Sequence, residues 1–454
     1  MSKGNRLGHW SVAALAVSAA AGLCLPARVE GYNFLGGSLD LTQRDVRVFN
    51  NFGDLSANDN TTPDPDFPGA LGAPLAIWKG IVEWGSELHG SGWGDPHQGG
   101  DLGSGGANFD ASWQGLASGV GGVDDNIVSE LSGNGLGTFA FCEIPIADGW
   151  RIRFWELPYV LEDGPGRFPH LPQRTDIQGI LTHEYGHALG LAHTNVFGST
   201  MFAGADQDSV IGLRSIAADD IAGVQALYGV RAATKPRVET YALAGNTLTI
   251  RGAHFAPAAN EVWFTDGSGV GDGTPLKVAG LPSANNGTEI TLVIPALAAN
   301  GDLLVKVPGS GNADLSNAFP FDAQVEPCRV PKVYGQAKLT SLATLPLLRP
   351  HGRPRVSTPG FELKLAGAIP GARAVLFYGQ TSASLPFQGG TLLVGGAQVR
   401  AGRAIVDPLG SARFPIAVEA ALVGTTRYYQ ARFVDAADAF GVGLSDGVEV
   451  TFCP

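Results

Sequence analysis

Hydrophobic positions recur at two periods along this chain, and the shift from one to the other divides it. Residues 44–52, RDVRVFNNF, alternate Val46 and Val48 against Arg47 and Phe49 and predict a first strand. Residues 53–68 are rich in Asp, Asn and Pro and predict a loop. In 70–84, Leu71, Pro74, Ile77, Trp78, Ile81 and Trp84 fall at helical intervals, which predicts a helix with one apolar stripe and Pro74 near its start. Residues 90–122 are glycine-rich and lack periodicity apart from a short turn near Trp113. Strand-like runs follow at 126–131, 137–144 and 150–157. The clearest helix is 175–189, with Thr175 and Gln178 at capping-box spacing and Ile177, Ile180, Leu181, Ala188 and Leu189 on its apolar side. A further helix is expected over 215–228, with Asp219 and Asp220 near its positive end.

Past residue 229 the helical period gives way to short alternating runs separated by Gly, Pro, Asn and Asp. In 237–322 they lie at 247–250, 261–265, 289–294 and 302–307; in 328–454 they lie at 361–365, 374–378, 391–394, 427–433 and 448–452. The pattern predicts a multidomain chain, an α+β domain followed by two all-β sandwich-like domains.

Composition agrees. A chain of 454 residues is too long for one core, and 44% hydrophobic against 16% charged residues describes a folded protein. The 64 glycines and 29 prolines suit short strands and tight turns. A formal charge of -12 argues against nucleic acid or anionic lipid as partners. Residues 1–27 have the order of a bacterial-type export signal: Lys3 and Arg6, an apolar stretch from Leu7 to Leu25, then Pro26 and Ala27. A secreted, extracellular protein without stable membrane insertion is expected. In an oxidising compartment Cys328 and Cys453, at the edges of the last segment, are placed to form a disulfide, which leaves Cys142 as a thiol.

The chemistry concentrates in residues 183–193, HEYGHALGLAH. His183 and His187, four apart, lie on one face of the predicted helix and can hold one ion; Glu184 can reach a water on that ion without taking a ligand position. Zinc needs a third protein ligand and one open position. Gly190 can take the left-handed conformation that ends a helix sharply and returns His193 to the metal. Asp95, Asp101 and Asp110, near His89 and His97, are candidates for a second cation, with Ca2+ ahead of zinc because oxygen donors dominate.

This block resembles the metzincin zinc endopeptidases and, among them, the matrixins. The likeness extends to Asp176-Ile177-Gln178 before the block, to Ser199-Thr200-Met201 eight residues past His193, and to LRSIAADDIAGVQALYG at 213–229. The resemblance implies a matrixin-like catalytic domain at 28–232, with a short N-terminal extension, a twisted mixed sheet and an active-site helix. It implies hydrolysis of internal peptide bonds in a protein or peptide substrate, with Glu184 as general base. Met201 would be the Met-turn residue forming an apolar floor beneath the zinc. The substrate would lie extended along an edge strand near 144–153, and the side chain after the cut would enter a pocket walled by 194–213. Residues 237–322, which open LTIRGAHFAPAANEVWFTD from Leu248, resemble the Ig-like IPT/TIG modules, and the two C-terminal domains are candidates for surface or matrix attachment. The rival reading is a non-catalytic extracellular adhesion or matrix-binding protein with a vestigial peptidase domain.

Overall fold

The computed structural model describes residues 31–90, 102–143, 149–164, 174–204, 210–268, 271–323, 331–351, 354–356 and 361–453. The export-signal reading of 1–27, Cys328, Asp95, Asp101 and His97 fall outside these residues. Residues Gly31–Pro454 form one unit, built on separate hydrophobic clusters.

The first cluster collects residues from Leu39 to Tyr228. Its elements are β1 (Asn33–Phe34), β2 (Asp45–Val48), α1 (Gly72–Val82), β3 (Ser112–Leu116), β4 (Ile127–Asn134), β5 (Ala140–Glu143), β6 (Arg151–Leu157), β7 (Val160–Glu162), β8 (Arg174–Asp176), α2 (Ile177–Ala188), β9 (Leu191–Ala192) and α3 (Ala218–Tyr228). The main sheet has the order β3-β2-β4-β6-β5. Its strands run parallel except β5, which pairs antiparallel with β6 and forms one edge. A helix-bearing mixed sheet is the α+β arrangement expected of the first domain.

Three local readings change. The segment near Trp113 is strand β3, not a turn; its run SWQGL lacks a clear alternation, and it is recruited by β2, with Asp45 opposite Ser112 and Val46 opposite Trp113. Helix α1 has no exposed face: all eleven of its residues are buried, Lys79 included. Gly80 allows this on one side, because a Cβ there would lie 3.0 Å from both Gln178 O and Thr182 Oγ1 of α2. On another side Trp78 stacks on Trp113 at 4.6 Å between ring centres. Helix α2, finally, is capped by Asp176 rather than Thr175, which lies in β8.

The second cluster runs from Val238 to Phe321. Strands β10 (Arg237–Ala244), β11 (Thr247–Ala253), β12 (Asn260–Asp266), β13 (Leu276–Leu281), β14 (Glu289–Val293), β15 (Ala298–Lys306) and β16 (Phe319–Phe321) make two sheets, β10-β11-β14 and β13-β12-β15-β16, with the cluster between them. The third cluster, Leu348 to Phe452, fills the remaining region. There β17 (Lys332–Tyr334), β18 (Leu347–His351), β19 (Glu362–Ala366), β20 (Arg373–Gly379), β21 (Thr381–Phe387), β22 (Gly390–Gly395), β23 (Val399–Ile405), β24 (Ala412–Pro415), β25 (Thr426–Val434) and β26 (Val442–Thr451) form the sheets β17-β26-β25-β20-β23 and β18-β19-β24 and the hairpin β21-β22. Cys453 is disulfide-bonded and Cys142 is free.

The second region does not hang from the first on a linker. Asp302 of β15 binds His89 Nε2 at 2.8 Å and accepts Trp113 N–H at 3.2 Å, and Thr265 Oγ1 donates to Trp113 O at 2.6 Å, all buried. These bonds cover the β3 edge of the main sheet, where unpaired backbone groups would otherwise invite another chain. Trp263, Leu304, Leu315 and Ala318 add a small apolar cluster against which Leu41 packs. No helix among the described residues is long and apolar enough to cross a membrane.

Candidate metal centre

Helix α2 is fixed at both ends by its sequence. At the start Asp176 accepts Gly179 N–H at 2.8 Å and forms a fully buried, two-point ion pair with Arg214 at 2.7 and 2.8 Å. At the end Gly190 takes φ +108°, and a Cβ there would collide with Gly37 O. The chain reverses into β9, which pairs with β1, and His193 follows directly. The stop expected at Gly190 is therefore required by conformation and by space.

The reversal brings three imidazoles together. His193 Nε2 lies 3.2 Å from His183 Nε2 and 3.2 Å from His187 Nε2. Behind them, His183 Nδ1 is 2.6 Å from Thr200 O and His187 Nδ1 is 2.8 Å from Leu191 O. A carbonyl only accepts, so each Nδ1 carries the hydrogen and each Nε2 turns a lone pair inward. His193 Nε2 has at most one hydrogen to give, too few for both. A cation at the centre resolves the conflict, and tetrahedral zinc with Zn–N of about 2.0–2.1 Å places its ligand nitrogens about 3.3 Å apart. Burial and the neighbouring imidazoles push the pKa of His183 down to about 3 and that of His187 to about 4, which leaves both imidazoles neutral at ordinary pH. Among the described residues these three side chains are the group of His, Cys, Asp or Glu close enough to hold a metal.

Met201, 2% exposed, packs against α2 at Gly186. Gly186, in the last turn of α2, makes room for it: a Cβ at Gly186 would lie 2.9 Å from Trp84 Cζ2 and closer still to Met201 Sδ. The turn holding Met201 is anchored by Asp220, whose carboxylate accepts N–H from Thr200 at 2.7 Å, Met201 at 3.0 Å and Ala217 at 2.8 Å. The same residue that orients His183, Thr200, is thereby tied to the start of α3.

Glu184 lines the same cavity as the three histidines, a space of about 550 Å³. Burial pushes its carboxyl up to about 8, opposed by the Cys142 N–H that donates to it. One wall of the cavity is the edge strand β5 with Gly137–Phe139 before it, and another is made by Phe202, Val210 and Leu213. The open edge beside the cluster is thus 140–143. Arg151–Arg153, inside the range expected for that role, belong to β6, which is paired on both sides.

Sequence reasoning missed the carbonyls of Thr200 and Leu191, the Asp220 anchor and the Cys142 amide. Only Gly186 left a trace, since a glycine inside a helix costs about 1 kcal/mol and calls for a packing reason. Leu35, from the N-terminal extension, also lines the cavity. Of the carboxylates considered for a second cation, Asp110 is buried 3.1 Å from Lys235 Nζ and accepts Ser86 N–H, so its charge is already met.

Residues 104–229 match the profile of the matrixin family, Peptidase_M10. Matrilysin of Mus musculus is 48% identical over 50 residues, which are 11% of this chain and 19% of the relative, so the match spans about a fifth of that protein's length. Among solved structures, a tetra-tandem repeat in the extending region of a large adhesion protein is 13% identical, with 45% of each chain covered and a TM-score of 0.17. The chain contains a matrixin-like domain.

Proposed function

We propose that the chain is a secreted zinc-dependent endopeptidase in which His183, His187 and His193 hold the metal and Glu184 is the general base. The observation that carries the reading is the approach of three Nε2 atoms, two of them fixed as lone-pair donors by backbone carbonyls, in the cavity that holds Glu184. When bound there, zinc supplies Lewis acidity that acidifies its water and polarises the scissile carbonyl.

The chain's own residues supply the rest. An extended peptide pairs with the open edge of β5 and lies across the cavity. Glu184 takes the proton of the attacking water on its carboxylate and returns it to the leaving amide nitrogen. Its position in the cavity that holds the three histidines keeps its carboxylate within reach of that water. Ile180, Val210 and Leu213 give the wall facing the substrate side chain an apolar surface. The 237–322 region is an IPT/TIG-like module in this reading, and the C-terminal region serves attachment.

Glu184→Gln tests the mechanism. Zinc content stays near one per chain, while cleavage of casein falls by about 10²–10⁴-fold. Unchanged cleavage with zinc retained would remove Glu184 from the reaction. A wild-type protein that binds zinc tightly but cleaves no unfolded substrate would favour the adhesion reading.

A further inference from the structure

The C-terminal five-stranded sheet buries one face and leaves part of the other open. Ala374 and Leu376 of β20 and Ala431 and Phe433 of β25 are in the core. The alternate residues point outward, and four of them are arginines: Arg373, Arg400, Arg403 and Arg432. Register sets them in rows. Val375 of β20 is opposite Arg403 of β23 on one side and Arg432 of β25 on the other, and Phe377 is opposite Arg400. Two strand spacings put Arg403 and Arg432 about 10 Å apart.

All four arginines are exposed, and none has a carboxylate partner among the described residues. Like charges gathered on one sheet face oppose one another. In a chain of net charge -12 the grouping also runs against the overall sign. Three of them, Arg373, Arg400 and Arg432, line a cavity of about 470 Å³ together with Val375 and Phe377 and with Phe387 and Leu392 of the β21-β22 hairpin, and Arg403 stands beside it on the same face.

We propose that this face binds an acidic polysaccharide. Guanidinium forks match carboxylate and sulfate groups in shape and charge. The apolar floor between them suits the non-polar face of a sugar ring. Strand β20 is paired on both sides, so the middle of the face presents side chains and no free main-chain groups; an extended acidic peptide, which takes its register from main-chain pairing, would be held to the β23 edge, two strands from Arg432. The face lies on elements other than those that build the histidine cluster, so binding and hydrolysis are separable.

The test uses the full chain on immobilised polygalacturonate and heparin, with dextran, poly-glutamate and duplex DNA as comparisons, at about 0.15 M salt, where scattered surface charges are largely screened. Retention on at least one of the two acidic polysaccharides is expected, with none on dextran and at least tenfold weaker binding to poly-glutamate and DNA. The Arg403→Glu/Arg432→Glu double variant should lose at least tenfold in affinity for the polysaccharide while cleaving casein like the parent and keeping its circular dichroism. Equal retention of the double variant would overturn the proposal. So would no retention of the parent, or binding to poly-glutamate or DNA as tight as to the polysaccharide. If the double variant misfolds, Arg403→Gln alone is read for the same loss.

Discussion

The sulfur of Met201 lies in the space that a Cβ on Gly186 would fill. One residue comes from helix α2 and the other from the turn packed against it, so the distance between the two is set by a missing methyl group. Gly186→Ala should destabilise the fold by about 1–3 kcal/mol, the usual cost of overpacking. Combined with Met201→Ala, the loss should be smaller than the sum of the two single losses, because the smaller side chain accepts the methyl. Denaturant unfolding of the four proteins measures this; additive losses would show that the two sites do not press on each other.

Asp220→Asn should lower zinc affinity by about 10–100-fold, the range for groups that orient a ligand without touching the metal. The route is explicit, since Asp220 fixes Thr200 through its N–H and Thr200 O holds His183 Nδ1. Competition with a chromophoric chelator gives the affinity. The neighbour Asp219, which accepts Gly31 N–H instead, serves as the control, and its Asn variant should bind zinc more tightly than Asp220→Asn.

Removing a ligand should cost more than removing its support. His193→Ala is expected to exceed the roughly 10–100-fold loss of affinity assigned to supporting groups, because two inward lone pairs remain without a third donor. Chelation of the parent should abolish casein cleavage, and added zinc should restore it. A chelator-insensitive activity would show that cleavage does not depend on the ion.

Asp302→Ala tests the join between the first two regions. It leaves His89 and Trp113 N–H without their acceptor, at about 1–3 kcal/mol for each buried donor. The unfolding midpoint of the matrixin-like region should fall although the substitution lies in the sheet behind it. A midpoint unchanged for that region would mean that the two unfold independently.

The meeting of the three histidines is legible in the sequence because its information is local. Two histidines one helical turn apart, a glycine stop and a third histidine fall within eleven residues, and no distant partner is needed to recognise them. What orients them is not, because Thr200 and Leu191 act through main-chain carbonyls, which carry no residue identity. Helix α1 was read with one apolar stripe because periodicity registers which positions are apolar and not how many neighbours surround them; Lys79 is buried by its ion pair with Asp64, at 3.1 Å. Strand β3 was hidden by its short run and its glycine, and its pairing with β2 and the Asp302 bond come from residues far away in the chain. Asp302 and His89 are 213 positions apart, and no local pattern connects them.

The strand pairing of β1 with β9 has a practical side. Asn33 Nδ2 holds His193 O at 2.9 Å, Thr194 Oγ1 donates to Gly31 O at 2.9 Å, and Leu35 N–H donates to Gly190 O at 2.8 Å. A chain cut after residue 35 would lose these supports of His193 while keeping the histidines themselves intact. Intact mass of a purified preparation is therefore the measurement that reports whether this support is still attached.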